Sequence, residues 1–321
     1  ELLLDAGATE SEGRIKIPSR LVYDALSSAP ERISLYDQTG RLTMPLELGR
    51  VFYGPGSDTP YTIDLDTRER RRATRSDVRN FARLTDGLEN IDYAMTMGVP
   101  RDVPIQDTFL HGFIEMLRGC TKPMVYTASS LQEMQDIHRI AAAVAGSERA
   151  FRERPFLLHY AEPISPLLFP PEAVEQVLFC AEKGIPLCFP PSPNTGGGGP
   201  ITMAGALALG SAECLVGLVL SQLVQKGAPF VYGMNLAVMD MKTMVVAYGS
   251  PEWSLGMAAD VNLAEFYNLT VWGVGGATDA KVVDAQAGLE AALSIYRALQ
   301  CRCTMVHDVG YIESGMTSAM E

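Results

Sequence analysis

Residues 156–189 read FLLHYAEPISPLLFPPEAVEQVLFCAEKGIPLCF. The stretch opens on an apolar run, Phe156 to Tyr160, short enough to be a buried strand. Pro171 then stands where a helix tolerates proline, in its first turn, and apolar residues recur at helical spacing as far as Lys183. Gly184 supplies the left-handed backbone that ends a helix, and a second apolar run starts at Pro186. A strand, a helix and a second strand follow one another with short joints.

The same alternation extends in both directions. Upstream lie Ile91 to Met97 with Ile105 to Arg118, and Met124 to Thr127 with Leu131 to Ala145. Downstream, Pro186 to Phe189 is followed by Thr202 to Lys226, and Phe230 to Tyr232 by a helix within Ser250 to Tyr267. Thr270 to Gly273 is followed by Ala280 to Leu299, and Met305 to His307 comes last. Gly119, Gly146 and Gly227 close their helices as Gly184 does. Strict alternation requires parallel strands with right-handed crossovers, either as a closed barrel or as an open, doubly wound sheet. The turn Gly98 to Pro104 lacks the glycine fingerprint of a dinucleotide site, and seven repeats favour the barrel.

The expected fold class is therefore α/β, a (β/α)8 TIM-type barrel over residues 91–321 with seven units visible and the last one cut. Residues 1–90 form an N-terminal prelude whose short strands, Ile33 to Tyr36, Val51 to Tyr53 and Tyr61 to Asp64, pack on the barrel. Ser76 is the expected cap of a helix running to Gly87. Both ends read as truncated: a helix is under way at Leu2 to Leu4, another is expected to begin before Glu321, and the eighth unit is expected beyond it.

Net charge is −12, and the basic residues concentrate at Arg68, Arg70, Arg71, Arg72 and Arg75, interleaved with Asp66, Glu69 and Asp77. That pattern is a solvated face and argues against a nucleic-acid partner. The six cysteines form no CxxC pair and sit in apolar surroundings, which suits a reducing, cytoplasmic location. Cys301 and Cys303 read as alternate positions of one strand. The apolar stretch Ala204 to Leu223 is interrupted by Gly205, Gly210, Ser211, Glu213 and Gln222 and reads as too polar for a membrane span. Gly196 to Gly199 reads as a mobile or close-approach loop rather than a phosphate cradle, since no P-loop lysine follows.

In such a barrel the chemistry sits where the strands end. Those positions hold Thr96 and Met97, Tyr126 and Ser129, Tyr160 and Glu162, Phe189 and Asn194, Tyr232 and Asn235, Thr278 and Asp279, and His307 and Asp308. Tyrosine recurs beside few ionisable groups, a mixture suited to a small organic cation held by ring faces. His111 and His138 fall on helices, His159 reads as core, and no metal-ligand spacing is present, so no metal is expected. His307 with Asp308 reads as a substrate or cofactor contact.

Three separated motifs carry a family likeness: Gly249-Ser250-Pro251-Glu252; Gly275-Gly276-Ala277-Thr278-Asp279-Ala280-Lys281, with Asp284 to Gly288 and Glu290 after it; and Val306-His307-Asp308-Val309-Gly310. Over residues 50–321 the chain resembles the trimethylamine methyltransferase family. The resemblance implies a barrel that transfers a methyl group from an amine to the cobalt of a corrinoid (cobalamin) held by a separate protein docked at the βα-loop face. The archetype uses pyrrolysine, whereas this chain contains only standard residues, which points to the branch acting on small quaternary amines, with glycine betaine as the first guess. On that reading Tyr126, Tyr160, Glu162, Tyr232, Asn235, Asp279 and His307 surround the substrate, and Asn194 and Asp308 meet the cofactor. No residue is singled out as catalytic, and a homo-oligomer is left open. The alternatives are a non-catalytic amine sensor and a folate-linked methyltransferase, the latter favoured by Asp279, Asp308 and Asn235.

Overall fold

The computed structural model describes residues 1–321. Its centre is a parallel sheet of seven strands: β1 (Phe52–Pro55), β2 (Met124–Tyr126), β3 (Leu157–Tyr160), β4 (Leu187–Cys188), β5 (Phe230–Gly233), β6 (Val271–Val274) and β7 (Met305–Val309). In space they run β1-β7-β6-β5-β4-β3-β2. The gap between β1 and β2 is filled by residues 92–94. Ala94 bridges in parallel to Met124, and the Asp92 amide donates to the Tyr53 carbonyl at 2.6 Å. The ring therefore closes within residues 52–309, which occupy eight strand positions.

This changes the expected count. Val51 to Tyr53 belongs to a barrel strand rather than to a prelude, while Ile91 to Met97 contributes one bridge and no ladder. The alternation is hidden here because a hairpin, Tyr61–Ile63 with Arg70–Arg72, intervenes before the helix Arg75–Gly87. That helix is capped by Thr74, not Ser76, through a capping box with Asp77. Past β7 the chain forms short strands, Tyr311–Ile312 and Thr317–Ser318, that join the Tyr61–Ile63 hairpin instead of starting a helix. Gly310 and Gly315, both with positive φ, set these turns.

Alternate strand residues point inward or outward, and the two sets build two cores. Phe52, Val125, Leu158, Cys188, Val231, Trp272 and Met305 face the interior, while Tyr126, Leu157, Phe230, Tyr232 and Val271 lie under the helices. The interior is closed at the amino end by a hairpin, Ile33–Tyr36 with Leu42–Leu46, which adds Ile33, Leu35, Met44 and Leu46 to the inner core. Its position is set by the Tyr36 amide, which donates to the carbonyl of Pro155 just before β3. Tyr93 crosses the interior and donates to the Val306 carbonyl; Gly54 has no side chain because a Cβ there would stand 2.3 Å from the Tyr93 ring.

Helix ends follow the expected chemistry with one exception. Gly184 caps Pro171–Lys183 at φ +72, and Gly146 and Gly227 also have positive φ. Gly119 does not: it ends Thr108–Gly119 at close quarters with its neighbour, where a Cβ would lie 2.7 Å from that of Ala82. Cys301 is the last residue of the helix Ala285–Cys301 and Cys303 precedes β7, so the two do not share a strand. The helix Met203–Val224 is, by length and composition, apolar enough to cross a membrane, which corrects the reading of that stretch as too polar. Here it packs on Pro171–Lys183 and Ser19–Ser28 in the barrel wall, and half of its apolar window is buried. The arginine cluster is paired with acids: Arg71 binds Asp64 and Asp77, and Arg70 binds Glu313.

Candidate functional site

With the amino end plugged, the interior opens only where the strands end. A cavity of about 320 Å³ lies there, lined by Ser57 beyond β1, Tyr160 and Glu162 from β3, Ser192 and Asn194 beyond β4, and Asn235 beyond β5. Val246, Tyr248 and Trp253 come from the following loop and helix, and His307, Asp308 and Tyr311 from β7 and its exit. No lysine or arginine reaches it. A second groove of about 270 Å³ between the helices Arg75–Gly87 and Ala285–Cys301 lies on the outside of the barrel and carries only one carboxylate, Glu321.

The cavity is aromatic at its base. The Trp272 ring lies 4.5 Å from His307 and 5.4 Å from Tyr160, measured between centroids, and Tyr248 stacks against Trp253 at 4.3 Å. Tyr160 donates to Glu162, and Asn235 Nδ2 donates to both, at 3.1 Å to the phenol and 3.4 Å to the carboxylate. Glu162 meets solvent in the cavity, yet protein surrounds it closely, and the resulting desolvation raises its carboxyl above the usual range.

On β7, His307 Nδ1 lies 2.8 Å from the Gly273 carbonyl and Nε2 lies 3.1 Å from Asp308 Oδ1. Burial pushes the imidazole down to about 4 and raises the Asp308 carboxyl, with Glu162 adding to the latter effect. Just behind the wall, Asp58 takes a hydrogen bond from Thr127 Oγ1 at 2.9 Å on one oxygen and leaves the other, Oδ1, without a partner. Desolvation lifts it to about 7, helped by Glu162 and Glu133. The cavity thus combines acidic groups, tyrosines and one imidazole, with no lysine or arginine among them.

A family model described as "Trimethylamine methyltransferase (MTTB)" matches residues 1–321. The chain belongs to the trimethylamine methyltransferase family. The trimethylamine methyltransferase MttB of Desulfitobacterium hafniense (strain DSM 10664 / DCB-2) is 33% identical over 306 residues, which are 94% of this chain and 61% of the relative. A glycine betaine methyltransferase of Desulfitobacterium hafniense (strain Y51) is 29% identical over 310 residues, 96% of this chain and 64% of the relative. The chain thus spans a little under two thirds of the length of these relatives. Among solved structures, the monomethylamine methyltransferase MtmB of Methanosarcina barkeri superposes with a TM-score of 0.59 at 13% identity, over 95% of this chain and 65% of that one, and shares the barrel fold.

In this trimethylamine methyltransferase family member the strand ends bring together Tyr160, Glu162, Asn194, Asn235, His307 and Asp308. Three other expected residues lie elsewhere. Tyr126 points outward, packed on Phe113 and His159, and Tyr232 points outward onto Tyr267. Each is one residue out of phase with the inward set, since Val125 and Val231 occupy the interior positions. Asp279 accepts the amides of Tyr248 and Gly249 and the hydroxyl of Ser314, so it pins the loop that carries Tyr248. His159, read as core, is buried and bonded to Gln176. Ser57 and Asp58 were missed because β1 was placed in the prelude and its exit was not read as a mouth. Tyr248 and Tyr311 stand beside the motifs beginning at Gly249 and ending at Gly310, a signal that could have found them.

Proposed function

We propose that the protein removes a methyl group from a small quaternary ammonium and passes it to the Co(I) of a corrinoid carried by a separate protein at the βα-loop face. The observation that carries this reading is a cavity with aromatic walls, the solvent-facing carboxyl of Glu162, and no lysine or arginine. A quaternary nitrogen has no proton to donate, so ring faces and diffuse negative charge are what can hold it, at roughly 0.5–2 kcal/mol per ring. Its methyl is already activated, because the nitrogen departs as an amine; alignment with the nucleophile then supplies most of the rate.

The corrinoid fits outside the cavity. At about 320 Å³ the cavity has room for a small amine and none for a corrin ring. Around it the loops expose Ile164, Leu167, Leu168, Ile201, Met241 and Met244, an apolar collar suited to a flat macrocycle and the protein that carries it. The collar is held in place: buried Glu213 accepts from Ser165 Oγ at 2.7 Å and from the Leu167 amide at 2.6 Å. Bound there, the corrinoid supplies the Co(I) nucleophile. The chain's part is to fix the ammonium against Tyr160, Tyr248 and His307 and to keep water from the methyl group.

The cavity's charge ranks the substrates. A net cation, such as tetramethylammonium or choline, finds the Glu162 carboxylate, whereas the carboxylate of glycine betaine finds only neutral donors, among them Ser57, Ser192, Asn194 and Asn235, and no lysine or arginine. Calorimetric titration with choline and with its neutral isostere 3,3-dimethylbutanol tests this. Choline is expected to bind at least tenfold more tightly; equal affinity would remove the cation reading. The second reading, glycine betaine, rests on the likeness to a glycine betaine methyltransferase and would be favoured if the zwitterion bound more tightly than choline. The setting we infer is cytoplasmic, where a Co(I) corrinoid survives.

A further inference from the structure

His307 and Asp308 are sequence neighbours on β7, and neighbours on a regular strand point to opposite faces. These two point the same way. Asp308 has φ +86, in the region that residues with a Cβ avoid, and the pairing of β7 with β1 shifts register between Val306 and Val309. The irregularity turns the Asp308 carboxyl into the cavity beside the His307 ring, with Oδ1 3.1 Å from Nε2 and both side chains almost wholly buried. Strain of this kind persists where the surroundings hold it, and functional sites are where it collects.

The other ring nitrogen settles what lies between them. The Gly273 carbonyl, 2.8 Å from Nδ1, can only accept, so Nδ1 carries a hydrogen. A neutral ring then aims the Nε2 lone pair at a carboxylate oxygen. Two bare acceptors 3.1 Å apart and buried would repel, so a proton lies between them. Around the pair stand the phenols of Tyr93, Tyr160, Tyr248 and Tyr311 and the carboxyl of Glu162, with no lysine or arginine. Nothing there stabilises a second negative charge, and the proton rests on the carboxyl.

We propose that Asp308, positioned by His307, is the acid that protonates the departing amine. The proposal rests on the methyl-transfer reading above. The electron pair of the Co(I) acceptor forms the new bond to the methyl carbon, and the C–N pair stays on nitrogen. As the C–N bond breaks, the Asp308 proton moves onto the pair being released, leaving a protonated amine and an Asp308 carboxylate that water later reprotonates. The site therefore begins and ends each turnover with a proton stored beside the nitrogen.

The test is Asp308→Asn, which keeps the shape and can donate a hydrogen bond to Nε2 but has no proton to transfer. Choline affinity is expected within threefold of wild type, while single-turnover methyl transfer falls by roughly 10²–10⁴-fold and loses its decline with rising pH. Nitrogen NMR of the protein labelled at histidine gives a readout independent of activity: His307 should show a protonated Nδ1 and an Nε2 shifted by a hydrogen bond. Transfer by the variant at the wild-type rate, or an Nε2 signal of a free, unbonded nitrogen, would overturn the proposal. If wild type binds no methylated ammonium, the functional reading fails, and the His307 spectrum still decides whether the pair holds a proton.

Discussion

The amino end of the barrel is filled by Leu35, Met44, Leu46 and Phe52, packed without a polar group among them, and its backbone is tied by antiparallel hairpin pairing with one register shift, between Leu35 and Tyr36. The carboxyl end, one strand-length away, holds Glu162, Asp308 and Asp58, two of them at positive φ, and leaves the Asp58, Asn235 and Trp253 side chains each with a polar atom unpartnered. The same barrel strands run between the two ends, so the contrast comes from what is set at each: an apolar hairpin at one, polar side chains and strained backbone at the other. One end is built for stability; the other gives up stability to keep charge and open valences in place.

That contrast can be broken from either side. Leu35→Ala opens a fully buried site in the plug and should cost about 2–5 kcal/mol in urea unfolding, with choline affinity in the surviving folded protein unchanged. A loss of affinity to match would mean the two ends are coupled.

Asp58 gives the next largest effect, and its sign is opposite to that of an ordinary surface acid. Its folded pKa, about 7, lies above the unfolded value of 3.8, so the native state holds the proton more tightly. The stabilisation is complete below the unfolded value and is lost as pH rises through about 7. Relative to wild type, Asp58→Asn should therefore gain stability between pH 4 and pH 8, on the order of 2 kcal/mol once partial solvation of the side chain is allowed for. A constant difference across that range would show that Asp58 is not held protonated.

Glu162→Gln removes the carboxylate that meets solvent in the cavity while keeping the contact with Tyr160. Choline should bind roughly tenfold more weakly, about 1.4 kcal/mol, and the dimethylbutanol isostere should be unaffected. The smallest effect on stability is expected from Asp308→Gly: relief of the positive φ should stabilise the fold by ~1 kcal/mol, while transfer falls at least as far as in Asp308→Asn. A destabilised glycine variant would place the strain elsewhere.

Much of this was legible in the residues. Strands β2 to β7 are apolar runs separated by helices, two of them ended by Gly146 and Gly184, and that period survives translation into structure. What was lost has physical causes. β1 is followed by a hairpin, so its helix does not come next and the repeat is masked. Tyr126 and Tyr232 end their strands as Tyr160 does, but they sit on the outward phase, and a strand only three or four residues long does not reveal its phase by alternation when both faces are buried. Met203–Val224 is apolar on average and half buried in the barrel wall, a combination that composition alone cannot tell from a membrane span. His307 and Asp308 were legible as a mouth pair, but not that both side chains turn to one face, since that depends on a break in the strand that inverts the usual alternation.

The most direct test of the account is to mix the protein with a Co(I) corrinoid, as the cognate carrier protein or as free cobalamin, and with tetramethylammonium, choline, glycine betaine, proline betaine, carnitine or trimethylamine in turn, following the Co(I) absorbance. The account predicts loss of that absorbance with a quaternary ammonium, the net cations reacting ahead of the zwitterions, and none in the absence of the protein. Tight binding of these amines with the Co(I) signal unchanged in every case would contradict it and leave an amine-binding barrel without methyl transfer.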